Sequence, residues 1–368
     1  MLEDDQVEAR PSANESRSAP GLHTPLRLGD LALPNRIVMA PLTRCRTDEA
    51  RVPTTLMQEY YAQRASAGLI ISEATSVEAH GVGYPNTPGI WSAEQVAGWK
   101  RITDAVHNVG GRMLLQLWHV GRISHPFYLG GALPVSASAI APAGHVSLLR
   151  PQQPYVVPRA LDTDEIPKVV AAFRRGAENA MAAGFDGVEV HGANGYLLDQ
   201  FLQDSANKRT DDYGDSIANR ARLHLAVTDA VVSVWGAGRV GMHLAPRGDL
   251  MSMGDSDPKS TFGYLARELG KRNIAFLCTR ERHADDSISQ LLKAKFGGAL
   301  IANEGFTPDS AARAVGAGEA DAVAFGKLFI ANPDLPERLA EGAALNTPDP
   351  ATFYGGGAKG YTDYPALG

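Results

Sequence analysis

Three side chains with complementary chemistry follow one another closely in the stretch His191-Gly-Ala-Asn194-Gly-Tyr196. An imidazole and a carboxamide both carry N–H donors, and together they can bind an oxygen that gains negative charge during a reaction. A phenol with an unperturbed pKa of about 10 keeps its proton at neutral pH and can deliver it to carbon. Gly192 and Gly195 suit a tight turn between the three. On these residues alone, a hydrogen-bonded structural histidine and a packed helical tyrosine account for the pattern equally well. The surrounding elements have to decide.

From Thr24 onward, short apolar runs alternate with longer amphipathic ones. Runs at 37–39, 69–72, 113–117, 187–190, 240–244, 275–277, 299–302 and 322–325 are apolar and bounded by turn residues. They read as buried parallel strands. Helical patterns fall between them, over 55–67, 94–109, 164–183, 217–234 and 307–316, with Asp164 and Thr307 as start signals. Repeated strand–helix units predict a closed (β/α)₈ barrel, with an open doubly wound sheet as the alternative. Residues 26–33 read as a small N-terminal hairpin that plugs the barrel. The Gly-, Pro- and Ser-rich stretch 121–158, after the third strand, is too long for a routine connection and reads as a lid. Residues 1–23 read as a disordered polar tail and 24–368 as one barrel domain.

Bulk properties narrow the function classes. The chain has 368 residues, 44% hydrophobic and 21% charged, as a globular enzyme does. Its net charge of -6 and lack of any Lys/Arg block argue against nucleic acid. No apolar run approaches the roughly 18 residues that span a bilayer. The acidic start, with Glu3, Asp4, Asp5 and Glu8, resembles neither a secretory nor a transit signal, so a cytoplasmic location is expected. Two cysteines, Cys45 and Cys278, cannot by themselves ligate an iron–sulfur cluster. His119 and His125 lack zinc-helix spacing and no carboxylate–histidine cluster stands out, so no metal is expected. The G-x-G-x-x-G match at 355–360 lies too near the C-terminus to open a βαβ unit.

Barrel enzymes carry their chemistry at the C-terminal ends of the strands. Here those ends present Thr43, Ala74, Gln116 with Trp118, His191, His243, Asn303, and Gly326 with Lys327. Thr43, Gln116 and His243 would give a flat heteroaromatic ligand edge donors and acceptors, and Gly326 with Lys327 could hold a phosphate.

With these positions in view, the chain resembles the Old Yellow Enzyme family of FMN-dependent ene-reductases, from Thr24 to the C-terminus. The motifs that carry the resemblance are APLTR at 40–44, QRASAGLIISEAT at 63–75, QLWHVGRISHP at 116–126, HGANGYLLDQFL at 191–202, NKRTDDYG at 207–214 and KGYTDYP at 359–365. It implies bound FMN, with NADPH or NADH as hydride donor and small activated alkenes as substrates, in a monomer or homodimer. Ala40, Pro41, Thr43, Ala74 and Gln116 would surround the flavin ring, and Gly326 and Lys327, with backbone near Asn303 and Gly305, its phosphate. His191 and Asn194 would bind the substrate oxygen and Tyr196 would protonate the α-carbon. Tyr84, Trp118 and Tyr354 would line the substrate cavity. Thr43 matches the branch of the family that has threonine rather than cysteine there. A flavin-dependent isomerase or dehydrogenase on the same barrel, or a non-catalytic FMN-binding protein, is the competing reading.

Departures from the family pattern are local. Lys327 stands where arginine is usual, keeping charge but losing bidentate geometry. Asp215 and Ala218 alter one turn. The largest is in the fifth strand, where Gly241-Met-His-Leu-Ala-Pro246 places His243 at the position of an arginine that the family sets beside flavin N1. Histidine is shorter and changes charge near neutral pH, so it is expected to stabilise the anionic reduced ring less well. Arg247 could reach back to compensate. His243→Arg is therefore expected to raise the flavin midpoint potential, increasingly so as pH rises from about 6 to 9. Potentiometric titrations that superimpose for the two proteins would refute the idea.

Overall fold

Strands buried on both faces are mostly apolar, and this chain supplies such strands in sequence. The computed structural model describes residues 21–368. The barrel strands are Ile37–Met39, Leu69–Ile71, Met113–Trp118, Gly187–His191, Val240–Leu244, Phe276–Arg280, Ala299–Asn303 and Ala322–Phe325. Each pairs in parallel with the next. The last pairs with the first, Ala324 opposite Val38, and closes the ring. Closure settles the choice between barrel and open sheet.

Several strands outrun their apolar signal at the C-terminal end. The sixth departs most, since it reaches Arg280 where the pattern predicted an end at 277. Cys278, Thr279 and Arg280 keep the ladder, opposite Ile301, Ala302 and Asn303, while their side chains leave the apolar pattern. Backbone pairing, not side-chain polarity, decides where a strand stops.

The hairpin Leu26–Leu28 with Leu31–Leu33 is antiparallel. Its Leu28, Leu31 and Leu33 form one cluster with Val38, Leu69, Leu114, Phe276 and Ile301 of the barrel. Of the tail read over 1–23, residues 1–20 lie outside the described residues, and Leu22 is buried in the barrel core.

The helices cover the barrel with apolar faces, and caps fix several of their starts. Ser92 and Gln95 form a capping box that begins Ala93–Asn108, and Thr307 caps Pro308–Gly316. The helix expected from 164 begins at Ile166, and Glu165 binds Arg159 Nη2 at 2.9 Å instead of capping. The stretch 217–234 is two helices, Ile217–Arg220 and Arg222–Trp235. Pro258–Lys271 and Ser289–Phe296 complete the ring. Gly263 and Gly270 within the first of these weaken its helical signal.

Two features build up the C-terminal mouth. The segment after the third strand carries Val146, Leu149 and Tyr155 into a cluster with Tyr84 and Trp118. Buried Arg122 ties it down, donating to the carbonyls of Ile140 (3.0 Å) and Met251 (3.1 Å). Beside it, three buried arginines hold residues 352–361 against the barrel. Arg44 donates to the carbonyls of Phe353 (2.9 Å) and Gly360 (3.0 Å), and Arg46 to that of Thr352 (2.9 Å). Tyr361 stacks on Tyr60 with centroids 4.0 Å apart, and the Arg64 guanidinium covers the Tyr60 ring at 3.7 Å. Arg64, with no exposed surface, also donates to the carbonyls of Phe329 (2.8 Å) and Ile330 (2.9 Å), in the helix after Lys327. Arg64→Met keeps the volume but strands these buried carbonyls, and should cost about 3 kcal/mol in urea unfolding. A loss below about 1 kcal/mol would mean that the carbonyls find other donors.

Candidate active site

A cavity of about 340 Å³ opens at the C-terminal mouth of the barrel. Ala40, Pro41, Thr43, Ala74, Gln116, Trp118, His191, Asn194, Tyr196, His243, Asn303, Gly326, Lys327 and Tyr354 all line it. Residues from seven strand ends and the C-terminal segment thus share one space. Two of the expected residues do not line it. Gly305 sits two residues beyond the seventh strand, and Tyr84 lies behind Tyr196 with their hydroxyl oxygens 3.0 Å apart. The lining also includes Arg44, Arg280 and Phe353, which the sequence reading missed. For Arg280 the missing signal was the true length of the sixth strand.

The His191–Tyr196 turn is shaped by tight contacts. A Cβ on Gly192 would meet His224 Nε2 at 2.7 Å and Met242 Sδ at 2.8 Å, so only glycine lets the strand leave the barrel here. Asn194 (φ 59) and Gly195 (φ 78) are both left-handed and reverse the chain. The Asp199 carboxylate accepts from Gly195 N at 2.8 Å, and Gln200 donates to the Gly195 carbonyl at 2.7 Å. The imidazole, carboxamide and phenol are thereby brought to one wall. Ring centroids lie 5.1 Å apart for His191 and Tyr196 and 4.9 Å apart for Trp118 and Tyr196, both edge to face.

Residues 21–346 match the NADH:flavin oxidoreductase / NADH oxidase family. The chain belongs to this family. It is 44% identical to a probable flavin mononucleotide-dependent alkene reductase of Leishmania infantum, across 96% of this chain and 99% of that protein. The structure of morphinone reductase in complex with tetrahydroNAD has a TM-score of 0.92 and 51% identity, covering 95% of this chain and 98% of that one. The Old Yellow Enzyme homologue from Zymomonas mobilis has a TM-score of 0.92 at 44% identity, covering 95% of this chain and all of that one (100%). The resemblance carried by the sequence motifs is thus a family relationship.

As an NADH:flavin oxidoreductase, the chain needs a cavity fitted to a flat polar ring, and its buried atoms fit one. Trp118 Nε1, His191 Nδ1 and His243 Nε2 are buried without a protein partner, each on a residue that lines the cavity. Gln116 Nε2 donates to Glu189 Oε2 at 2.7 Å and lies 3.1 Å from His243 Nδ1. Because the amide nitrogen faces inward, Gln116 turns its carbonyl oxygen the other way. The contact between two nitrogens is a hydrogen bond only if His243 Nδ1 accepts, which leaves the ring proton on Nε2. Asn303 spends its amide on the Ala324 carbonyl, 2.7 Å away.

Two smaller expectations are corrected. Arg247 does not reach back to His243, because Glu281 Oε1 (2.5 Å), the Arg282 carbonyl (2.7 Å) and Asp286 hold it. A cluster of metal-ligand type does exist, since donor atoms of Glu189, His243 and Cys278 lie within 4.8 Å of one another. Gln116 already bridges the first two.

Burial sets the protonation states of the triplet in opposite directions. It holds His191 well below the usual imidazole value, helped by His243 and Arg280, and it raises Tyr196 to about 12, against the hydrogen bond from Tyr84. A lowered His191 keeps its neutral ring as pH falls through 6.5, and a raised Tyr196 keeps its proton as pH rises through 10. The ring ¹⁵N shifts of His191 should be those of neutral imidazole at about pH 6.5, where an ordinary histidine is half charged. A midpoint at or above about 6.5 would contradict a desolvated ring.

Proposed function

We propose that this protein is an FMN-dependent oxidoreductase that uses NAD(P)H to reduce the activated C=C bond of α,β-unsaturated carbonyl and nitro compounds. Membership of the NADH:flavin oxidoreductase family and likeness to an alkene reductase and to morphinone reductase support this activity. The observation that carries the reading is the convergence of His191, Asn194 and Tyr196 on the cavity that also holds Gln116, His243 and Lys327. Since one cavity serves both the nicotinamide and the alkene, they take turns, which is a ping-pong scheme.

Bound FMN supplies the hydride. Ala40, Pro41, Ala74, Thr43, Gln116 and His243 would hold its ring, the last three offering polar groups to it. Lys327 and the backbone at Gly326, near Asn303 and Gly305, would hold its phosphate. His191 and Asn194 donate to the carbonyl or nitro oxygen of the substrate and stabilise the charge it gains. Tyr196, kept as a phenol, passes its proton to the α-carbon, with Tyr84 holding its oxygen in place. Trp118 and Tyr354 pack against the substrate, and the segment 121–158 acts as a lid that excludes water.

Among the described residues no helix is long and apolar enough to cross a membrane. The reading extends to a cytoplasmic protein, monomeric or homodimeric, without nucleic-acid partners.

In the FMN-loaded protein, NADPH should bleach the flavin absorbance under anaerobic conditions and 2-cyclohexenone should restore it. Tyr196→Phe should slow the restoration about 100-fold while leaving the bleaching within about threefold. A protein that cannot take up FMN, or a bleached band that 2-cyclohexenone leaves unchanged, would remove the basis for the reading.

A further inference from the structure

The sixth strand ends on Arg280, and nothing in the roles assigned above uses its guanidinium. Nη1 donates to Asn194 Oδ1 at 2.8 Å, from the strand end to the left-handed turn after the fourth strand. On its other side, Nη2 lies 3.4 Å from Glu304 Oε1, so the guanidinium is held at both ends. Its side chain is 30% exposed, sheltered enough for the contact to persist. Arg280 and Asn194 line both the main cavity and a neighbouring one of about 310 Å³, so the bonded pair forms the partition between them.

A carboxamide can present either its oxygen or its nitrogen to a ligand, and the two ends have almost the same shape. A guanidinium, in contrast, carries donors only. Whatever bonds to Arg280 must therefore offer an acceptor, which fixes Oδ1 of Asn194 toward the arginine and turns its NH₂ away. The charge on Arg280 also draws electron density toward Oδ1, which makes the amide N–H a stronger donor.

We propose that Arg280 is a positioning residue that locks the Asn194 carboxamide with its NH₂ toward the substrate oxygen, so that Asn194 and His191 form a matched pair of donors. The proposal rests on the role given to Asn194 under the ene-reductase reading. It gives the cation beside the donor pair a role through Asn194. A carboxamide free to flip would present its oxygen for part of the time and repel the substrate oxygen.

The test is a double-mutant cycle on the FMN-loaded protein. Two quantities are read, the dissociation constant of the unreactive ketone cyclohexanone, followed by flavin absorbance, and the rate with 2-cyclohexenone. Arg280→Met should weaken ketone binding about tenfold and slow the reaction about tenfold or more. Arg280→Lys, which can still donate to Oδ1, should recover both to within about threefold. Asn194→Ala should cost at least as much, and adding Arg280→Met to it should change neither quantity by more than about twofold. Multiplying losses in the double variant would overturn the proposal, as would a loss of FMN affinity on Arg280→Met that persists without Asn194. Should Arg280→Met fail to fold, Arg280→Lys and Glu304→Gln enter the same cycle. Smaller losses that vanish in the Asn194→Ala background are then expected, and losses that persist there would overturn the proposal. If the unaltered protein does not reduce 2-cyclohexenone, the ene-reductase reading fails, while the coupling in ketone binding still reports on Arg280 and Asn194.

Discussion

The site depends on the register of the middle strands of the barrel. Gln116 stands opposite Glu189, His191 opposite His243, His243 opposite Cys278, and Arg280 opposite Asn303. Neighbouring parallel strands lie about 4.8 Å apart, so side chains at matched positions come within hydrogen-bonding reach without any loop having to bring them together. A slip of one residue would turn each of these groups to the other face of its strand. The placement of these strand-borne groups is therefore inherited from backbone pairing, while the turn after the fourth strand places Asn194 and Tyr196.

That wall is polar in a place where water is scarce. Glu189 has no exposed surface, takes one donor from Gln116, and keeps a carboxylate oxygen with no protein partner. Cys278, next to it, is held as a thiol by burial and by that carboxylate. Buried polar groups without partners are costly, and those on the cavity lining, Trp118 Nε1, His191 Nδ1 and His243 Nε2, stand where a ligand can complete them. Donors fixed in advance need not reorganise when charge develops, so the cost in stability and the catalytic use have the same origin.

Much of this was legible in the sequence, and what was not has a common cause. Barrel strands such as 37–39 and 69–71 stand out because burial on both faces favours an unbroken apolar run. The triplet was visible because its three members lie within six residues of one another. Arg280 was hidden, since its strand continues through Cys278 and Thr279 on backbone pairing alone. Tyr84 was read as a cavity residue, whereas it touches Tyr196, a contact between residues 112 apart in sequence. The arginines at 44, 46 and 64 carried no signal of the carbonyls they would bind, because those belong to residues 352–361 and 329–330. Periodicity reports local burial and is silent on which distant backbone a long side chain will meet.

The arginine clamp has a consequence for the order of assembly. Arg44 meets the Gly360 carbonyl across 316 positions of sequence, and Arg64 meets that of Ile330 across 266. Contacts of such separation pay their loop-closure entropy before they return any stabilisation, so they belong to the late part of folding. Barrel closure itself, with Val38 opposite Ala324, spans a comparable separation, so the closed ring and the clamp that adds Phe353 and Tyr354 belong to the same late stage. A ligand that needs the finished cavity would then bind only after this last closure, and its capture would mark the passage from collapsed chain to working protein.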